Sequence, residues 1–385
     1  MVHQRFSESV NNVCSASVSR RSALRWLVRS AVITAVPALL GACRLDAAAN
    51  PAARSSTAAP QGSGTAAPSI PRATVHVGSS ARTLAGVGMY VAAERGYFVE
   101  QALDVTLSEL AAGDVFPALG SGQVDAISTA VGPALFNAAS RGIRLKIVAP
   151  MTRHDPRASS SFFLVRKGLV EGGQFSGYAD LAGKRIALGN ADTIGPYILS
   201  RALYKAGVQA SVETVLLDFP EITAAFANGA IDVAIQPEPT ASASVGRGVA
   251  VKWREVSDVV PGVQNTVVVF GPRLLNEQRE VGVRWVTAYL KGVRDYYAGI
   301  LKHGTGRPDV VSILTRWTPV ADPTLYDTMG FPFIDPNGDV SLESLTDELR
   351  FFREQGLVTG PVEVEQVVDS GFAARAVQNL GRYQS

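Results

Sequence analysis

The sequence predicts an α/β protein of two similar lobes, each a mainly parallel sheet flanked by helices, with a ligand cleft between the lobes. Two observations predict this architecture. From residue 73 onward, short β-branched runs alternate with helical stretches, which is typical of βαβ units. Further along the chain the same order of elements begins again, which indicates an internal duplication.

The first copy of the repeated order starts with a predicted strand at residues 73–78 (ATVHVG). It continues with a helix at 88–102, a strand at 103–110, a helix near 115–121, a strand at 124–129, a helix from Pro133 and a strand at 145–150. Because a helix separates each strand from the next, the strands are expected to run parallel.

The second copy follows the segment SFFLVRKG at 161–168. Its predicted strands are at 184–190, 213–219 and 231–236, with helices near 196–206 and from Pro220. Residues 162–165 and 266–270 are apolar runs that flank this copy, so we expect the chain to pass between the lobes there. Lobe one then comprises residues 73–165 and 266–385, and lobe two comprises residues 166–265.

The carboxyl-terminal part of the chain, from Leu274, is predicted to be mostly helical and to pack on lobe one. The helical stretch that begins at residue 281 carries large apolar side chains at a spacing that suits a core. We expect Trp285, Leu290, Val293 and Tyr297 to be core residues rather than ligand contacts.

The best local evidence for the duplication is a repeated five-residue segment. GQVDA at 122–126 matches GAIDV at 229–233, 107 residues later. Each copy lies where a helix ends at glycine and a strand begins. Ligands of parallel α/β sheets bind beyond the carboxyl ends of the strands, so two such lobes facing each other enclose a cleft.

The first 42 residues have the pattern of an export signal. They hold five arginines and one glutamate, and the apolar run AVITAVPALLGA at 31–42 is too short to span a bilayer as a helix. Ser19-Arg20-Arg21 with Leu24 resembles the twin-arginine export motif, although Ala23 stands where that motif usually has phenylalanine. General secretion is the alternative route.

The segment Leu40-Gly41-Ala42-Cys43 resembles a bacterial lipobox, in which the cysteine thiol accepts the lipid. A lipidated Cys43 would become the mature N-terminus and hold the protein at a membrane surface without a spanning helix. Residues 43–72 then contain almost no large apolar side chain, so we expect a disordered tether.

Composition excludes several classes of protein. The 385 residues are 46% hydrophobic and 18% charged, which suits a folded protein with a sizeable core. Beyond residue 42 the chain has 31 basic and 33 acidic residues, and this balance argues against nucleic acid as a partner. Both cysteines, Cys14 and Cys43, precede the predicted folded body that begins at residue 73, and the three histidines of that body are widely spaced. We therefore expect no metal site, no cofactor and no catalytic cysteine.

Four segments resemble a known family. They are MYVAAERGYFVEQALDVTL, PALGSGQVDAIST, LAGKRIALGN and VDSGFAARAVQNLGRY, which occur in this order between residues 89 and 383. Behind a lipobox, they resemble the extracytoplasmic solute-binding proteins of ABC importers, in the NMT1/THI5-like group for nitrate, sulfonates, taurine and thiamine pyrimidine precursors. The resemblance implies the type II periplasmic-binding-protein fold.

The resemblance also implies a function. The chain would be a monomeric, lipid-anchored protein of the periplasm or cell surface that captures a sulfonate, an aromatic or heteroaromatic acid or a pyrimidine-like solute. It would deliver this solute to an ABC permease and its ATPase in the inner membrane, without catalysis. Two positions depart from the family. Ala102 replaces a usual glycine, and Gly86 lies where many relatives carry a histidine that touches the ligand.

Candidate ligand-binding residues follow the strands, where backbone N–H groups and short hydroxyl side chains can surround a small solute. In lobe one they are Ser79, Ser80, Arg82, Gly113, Ser128 and Thr129, and in lobe two Asn190, Thr193, Asp218, Phe219, Gln236 and Glu238.

Several of these residues have a second interpretation. Thr193 and Asp218 precede helices and equally suit helix capping. Arg82 either pairs with a carboxylate or sulfonate or is a solvated loop arginine. Phe219 and Tyr90 either sandwich a planar ligand or fill the lobe cores. Glu238 opposes an anionic ligand unless it binds an amino group or is paired with another residue.

Two rival functions stay open. The first is an enzyme related to a menaquinone-pathway dehydratase or a pyrimidine synthase; the export segment opposes both, and the cysteine-rich motif of the synthase is missing. The second is a ligand-sensing lipoprotein that passes its liganded state to a membrane receptor, which the sequence does not separate from import.

Overall fold

A computed structural model describes residues 70–189, 193–208 and 212–384. The predicted export signal, Cys43 and the tether lie outside the described residues, and so does the candidate site residue Asn190. The described residues contain two five-stranded sheets flanked by helices.

The strands, in chain order, are β1 (Ala73–Ser79), β2 (Leu103–Glu109), β3 (Ala126–Ala130), β4 (Lys146–Arg153), β5 (Ser161–Arg166), β6 (Arg185–Ala187), β7 (Glu213–Val215), β8 (Val233–Pro237), β9 (Ala250–Glu255) and β10 (Gln264–Phe270).

The α-helices are α1 (Val87–Glu94), α2 (Tyr97–Glu100), α3 (Val115–Ser121), α4 (Pro133–Ser140), α5 (Lys167–Glu171), α6 (Gly195–Lys205), α7 (Phe219–Ala227), α8 (Thr240–Gly246), α9 (Arg279–Tyr296), α10 (Arg307–Trp317), α11 (Leu342–Glu354), α12 (Val364–Val367) and α13 (Gly371–Leu380). Short 3-10 turns cover Leu84–Gly86, Ala112–Asp114, Tyr178–Leu181, Val256–Asp258 and Pro323–Asp327, and π-turns cover Arg273–Glu277 and Tyr297–Leu301.

The two sheets have the same plan. The order is β2-β1-β3-β10-β4 in lobe one and β7-β6-β8-β5-β9 in lobe two. The first three strands of each sheet are parallel, and the fourth strand is antiparallel to both of its neighbours. The predicted fold class, two α/β lobes with mainly parallel sheets, is confirmed.

The repeated segment explains how each sheet is held together. The Asp125 carboxylate accepts hydrogen bonds from the backbone N–H of His76 at 2.8 Å and from Arg273 Nε at 2.6 Å. The Asp232 carboxylate accepts from the backbone N–H of Arg185 at 3.1 Å and from Arg166 Nη2 at 2.9 Å. Each aspartate thus ties the first and third strands of its lobe to the end of the antiparallel strand. Both lie at the edge opposite the cleft, so the repeat is structural.

The structure corrects the predicted crossing segments. Residues 162–165 lie within β5, between β8 and β9, and residues 266–270 lie within β10, between β3 and β4. The chain therefore crosses between the lobes at residues 154–160 and 256–263, and residues 161–165 belong to lobe two rather than lobe one. A buried strand and a buried segment that connects the lobes are both apolar runs in the sequence, so the sequence pattern does not distinguish them.

The predicted helix at 88–102 is two helices, α1 and α2. Gly96 separates them with φ +72°, a left-handed conformation that ends a helix and that glycine adopts without strain. Ala102, at the position where the family usually has glycine, also has a positive φ of +53°. Alanine adopts this left-handed conformation at a steric cost that glycine would not have.

The carboxyl-terminal helices complete lobe one. α9 packs against α1 and α13, and Trp285, Leu290, Val293 and Tyr297 are all buried, so their prediction as core residues is confirmed. α11 contacts α4 of lobe one and α6 of lobe two. This helix therefore contacts both lobes.

A buried histidine lies in the first crossing segment. The backbone N–H of His154 donates to Val263 O at 2.8 Å, and its carbonyl accepts from Gly262 N–H at 2.7 Å, so the two crossing segments are bonded to each other. The side chain is 6% exposed, and its buried Nε2 has no hydrogen-bond partner among the described residues. Burial lowers the pKa of His154 from 6.5 to about 4.

This pKa gives a prediction for stability. The unfolded chain takes up a proton at His154 as the pH falls below 6.5, whereas the folded chain does so only near pH 4. The unfolding free energy should therefore fall between pH 6.5 and 4, by at most about 3 kcal/mol from this group. Denaturant titrations at several pH values in this range measure the unfolding free energy, which should change less with pH in His154→Gln than in the wild type. The control is His303→Asn at an exposed position with φ +53°, which asparagine tolerates. An unchanged pH dependence in His154→Gln would contradict the assignment.

Candidate functional site

Three strand ends of lobe one meet at the edge of the sheet that faces the cleft. In the strand register Ser79 lies beside Ser128 of β3 on one side and beside Glu109 of β2 on the other. A recess at this edge is lined by Val77, Ser79, Arg82, Met89, Tyr90, Leu107, Ser108 and Ser128. The recess has an apolar floor and a rim of hydroxyl groups with one arginine.

Arg82 is held in place on this rim. Its Nε lies 3.4 Å from Glu109 Oε2, and its guanidinium carbon lies 5.2 Å from the centre of the Trp317 ring. The side chain is 39% exposed, so the guanidinium remains open to a solute. Contact with both an aromatic face and a carboxylate favours one orientation of the guanidinium, and its contact with a ligand stays a prediction.

Trp317 is itself fixed from two sides. Its ring stacks on Tyr90 with the centroids 5.1 Å apart and an interplanar angle of 11°. Its Nε1 donates to Glu94 Oε1 at 2.8 Å, and Arg316 donates to the other oxygen of that carboxylate. These bonds from Arg316 and Trp317 lower the pKa of Glu94. Arg82, Trp317 and Tyr90 therefore form a three-layer stack beside the recess.

Tyr90 belongs to the lobe core rather than to a ligand sandwich. It is 4% exposed, and burial raises the pKa of its hydroxyl to about 12. A Cβ atom at Gly86 would lie 2.4 Å from the Tyr90 ring and hydroxyl. The tyrosine thus fills the space beside residue 86, and a histidine there would require Tyr90 to move.

The remaining lobe one candidates, Ser80, Gly113 and Thr129, are not among the residues that line this recess. Ser80 and Gly113 are exposed, Gly113 within the turn that follows β2. Ser79 and Thr129 are partly buried, and each hydroxyl donates to a nearby carbonyl, that of Ala81 at 3.3 Å and that of Ala130 at 3.4 Å. Ser79, Ser128 and Arg82 are the predicted residues that the structure brings together.

The lobe two candidates next to helices have capping roles. Thr193 lies one residue before Ile194, the N-cap of α6, and its Oγ1 accepts from the Gly195 N–H of the first turn at 3.4 Å. Asp218 and Glu221 form a capping box at the start of α7. The Phe219 ring packs on Gly189, where a Cβ atom would lie 3.0 Å from it. The capping interpretation of Thr193 and Asp218 therefore has direct support, while contact with a ligand remains a prediction.

Gln236 and Glu238 belong to internal polar networks. Gln236 is completely buried; its Nε2 donates to Phe219 O at 3.1 Å, and its Oε1 accepts from Ser244 Oγ at 3.1 Å. Glu238 forms an ion pair with Lys252, with the two charged atoms 2.5 Å apart. The negative charge that would oppose an anionic ligand is thus neutralised. Both side chains support the end of β8 rather than present free groups to the cleft.

The sequence analysis did not identify Ser108, Glu109 or Trp317 as site residues. Ser108 and Glu109 lie at the end of the predicted strand at 103–110, and this position could have identified them as candidate site residues. Trp317 lies at the end of α10, more than 200 residues after Arg82, and no local pattern joins them.

Other features of the described residues limit the kinds of site present. A cavity lined by Arg166, Asn228 and Val249, among others, lies at the opposite edge of the second sheet, remote from the strand ends that face the cleft. In the described ranges no three histidine, cysteine, aspartate or glutamate side chains are placed to hold a metal ion. None of the helices described here is both long and apolar enough to cross a membrane.

Comparisons with solved structures agree with a two-lobed binding-protein fold. The chain is similar to the periplasmic aliphatic sulphonate binding protein SsuA from Escherichia coli, with a TM-score of 0.62 and 20% identity over 77% of this chain and 92% of that one. It is similar to the periplasmic nitrate-binding protein NrtA from Synechocystis PCC 6803, with a TM-score of 0.58 and 13% identity over 80% of this chain and 89% of that one. It is also similar to the desulfurization enzyme DSZB, with a TM-score of 0.58 and 16% identity over 80% of this chain and 100% of that one.

Sequence comparison shows the family. The family model described as "NMT1/THI5 like" matches residues 85–299, which is more than half of the chain. The chain therefore belongs to the NMT1/THI5-like family, and the resemblance found in the sequence is confirmed. No match was found among curated protein sequences.

Proposed function

We propose that this chain is the solute-binding protein of an ABC importer and that it captures a small organic anion, a sulfonate or an aromatic acid, between its lobes. The observation that carries the proposal is Arg82, a partly exposed guanidinium fixed over Trp317 beside Ser79 and Ser128. The internal pairing of Glu238 with Lys252 supports it, because that carboxylate no longer repels an anion. Family membership and the sulphonate- and nitrate-binding neighbours support an anionic solute.

Binding would proceed by closure of the lobes. A solute held by the rim of lobe one gains further contacts when the strand ends of lobe two approach it. A ligand that contacts both lobes only in the closed form has higher affinity for that form and shifts the population toward it. The closed, monomeric protein would then present the solute to the permease.

A thermal-shift screen tests this assignment. Sulfonates, aromatic carboxylates, pyrimidines and amines are added separately, and a bound solute at 100 times its Kd stabilises the folded state by about 2.7 kcal/mol. We expect stabilisation by sulfonates or aromatic carboxylates and none by amines. Stabilisation by amines alone would contradict an anionic solute. Steady consumption of the stabilising compound would support an enzyme instead.

We further propose that the protein is exported through the twin-arginine route and anchored by lipid at Cys43. Leu40-Gly41-Ala42-Cys43 after the apolar run supports the anchor, and Arg20-Arg21 supports the route. Mass spectrometry of the mature protein should find a lipidated cysteine at its N-terminus. An unmodified N-terminus downstream of Cys43 would contradict the anchor, and normal export after both arginines are changed to lysine would indicate general secretion.

A further inference from the structure

The carboxylate of Glu238 joins the two lobes. Its side chain is completely buried. Oε1 accepts hydrogen bonds from Lys252 Nζ at 2.5 Å, from Ser242 Oγ at 2.9 Å and from the backbone N–H of Gly330 at 3.3 Å. Oε2 accepts from the backbone N–H of Ser242 at 3.0 Å. Lys252 and Ser242 belong to lobe two, whereas Gly330 comes from the carboxyl-terminal part that packs on lobe one.

Residues 328–331, which we term the strap, lie closely against lobe two. Lys252 Nζ donates to Thr328 O at 3.4 Å. A Cβ atom at Gly330 would lie 2.1 Å from Ser159 O and 2.9 Å from the Phe162 ring, so only glycine fits this approach. The neighbouring Met329 is buried in the core of lobe one. The strap therefore connects the lobe one core to the end of β8.

A second contact joins the lobes, between α11 and α6. The Tyr197 and Phe351 rings pack edge to face with centroids 5.4 Å apart, and Tyr197 donates its hydroxyl proton to Asp347 at 2.6 Å. Arg201 also pairs with Asp347. Tyr197 and Phe351 are both buried in one core cluster that includes residues of both lobes.

The two contacts differ in what separation would cost. If the strap leaves lobe two, Glu238 keeps its bonds to Lys252 and Ser242, so no buried charge loses its partner. Gly330 N–H and Thr328 O exchange a protein partner for water, and the part of the Phe162 ring that Gly330 covers is exposed. Separation of α11 from α6 would expose two buried rings, Tyr197 and Phe351, and would also remove the partners of Asp347, which is more costly.

From this difference we propose that the strap is a releasable latch between the lobes. The lobes open on the side of the strap, while the contact of α11 with α6 stays closed and acts as the pivot. The proposal concerns motion of the protein without solute, so it holds whichever solute the cleft binds.

Hydrogen exchange on the full chain tests the latch. Lys252→Met removes the cation that fixes both Glu238 and Thr328. We expect the Gly330 amide to exchange roughly tenfold faster in this variant, while exchange in α11 stays at the wild-type rate. Arg254→Met removes the same charge from an exposed position of β9 and is the matched control. Unchanged exchange at Gly330, or equal acceleration in α11, would overturn the proposal.

A second variant leaves the buried ion pair intact. Gly330→Ala forces the strap away from Ser159 O, and Gly246→Ala on α8, where a Cβ atom meets open space, is its control. Spin labels at Ala111→Cys and Ala224→Cys, in a chain with Cys14 and Cys43 changed to serine, report the distance between the lobes. We expect Gly330→Ala to lengthen or broaden that distance without a solute. Faster exchange at residue 330 with an unchanged distance would mean that the strap frays without opening the lobes, and would overturn the latch.

Discussion

Replacing Arg82 with methionine should weaken the binding of an anionic solute by about ten- to a hundredfold, since hydrogen bonds to charged groups contribute about 1.5 to 3 kcal/mol. Methionine keeps an unbranched apolar stem that can still pack on Trp317, so the three-layer stack should persist. Calorimetric titration with the best sulfonate or aromatic carboxylate from the screen measures the change. The control is Arg144→Met at an exposed position of lobe one.

A variant of the partner carboxylate should act in the opposite direction. Glu109→Gln removes the charge that competes with the solute for Arg82, and the exposed pair is weak, so affinity should rise by up to about fivefold. If Arg82→Met binds as tightly as the wild type, or if Glu109→Gln weakens binding, Arg82 does not contact the anion.

The second large effect should be on stability. Asp125→Ala leaves Arg273 without its carboxylate and the His76 N–H without its acceptor, and Asp232→Ala does the same to Arg166 and Arg185. Breaking a buried ion pair costs about 3 to 5 kcal/mol, and since these arginines are about one third exposed we expect about 2 to 4 kcal/mol for each variant.

Denaturant unfolding measures this loss, and a matched control is available on the surface. Asp104 pairs with Arg72 through two hydrogen bonds, but both side chains are exposed, so Asp104→Ala should change stability little. The Asp125 and Asp232 variants should also keep wild-type affinity for the solute. A loss of affinity without a loss of stability would show that the repeated aspartates belong to the binding site.

The fold was largely predictable because its signals are local. The alternation of apolar runs and helical stretches defined the order of elements, and the repeated GQVDA and GAIDV segments indicated two equivalent lobes. The predictions were wrong where the position of a segment depends on which strands it pairs with. Residues 162–165 form a strand of lobe two because they pair with β8 and β9, and an apolar run does not encode its partners.

The site was predictable only in part, for the same reason. Strand ends correctly located Ser79 and Ser128 beside one another. The sequence left the partner of Glu238 open, and that partner, Lys252, is supplied by the next strand. The ring that orients Arg82 comes from α10, far along the chain. Contacts between distant segments determine which polar groups remain free for a solute, and a single sequence does not record them.

The most direct test of a solute site between the lobes is calorimetry on Ser128→Tyr. Ser128 lines the small recess, of about 10 Å³, beside Ser79 and Arg82, so a tyrosine there would extend out of the recess and cover both side chains. With the solute that best stabilises the wild type, we expect one binding site per chain in the wild type and in the control Ser121→Tyr, an exposed position of lobe one outside the recess. We expect no measurable binding to Ser128→Tyr, whose unfolding midpoint should stay near that of the wild type. Equal affinity in a stable Ser128→Tyr would show that the solute binds elsewhere.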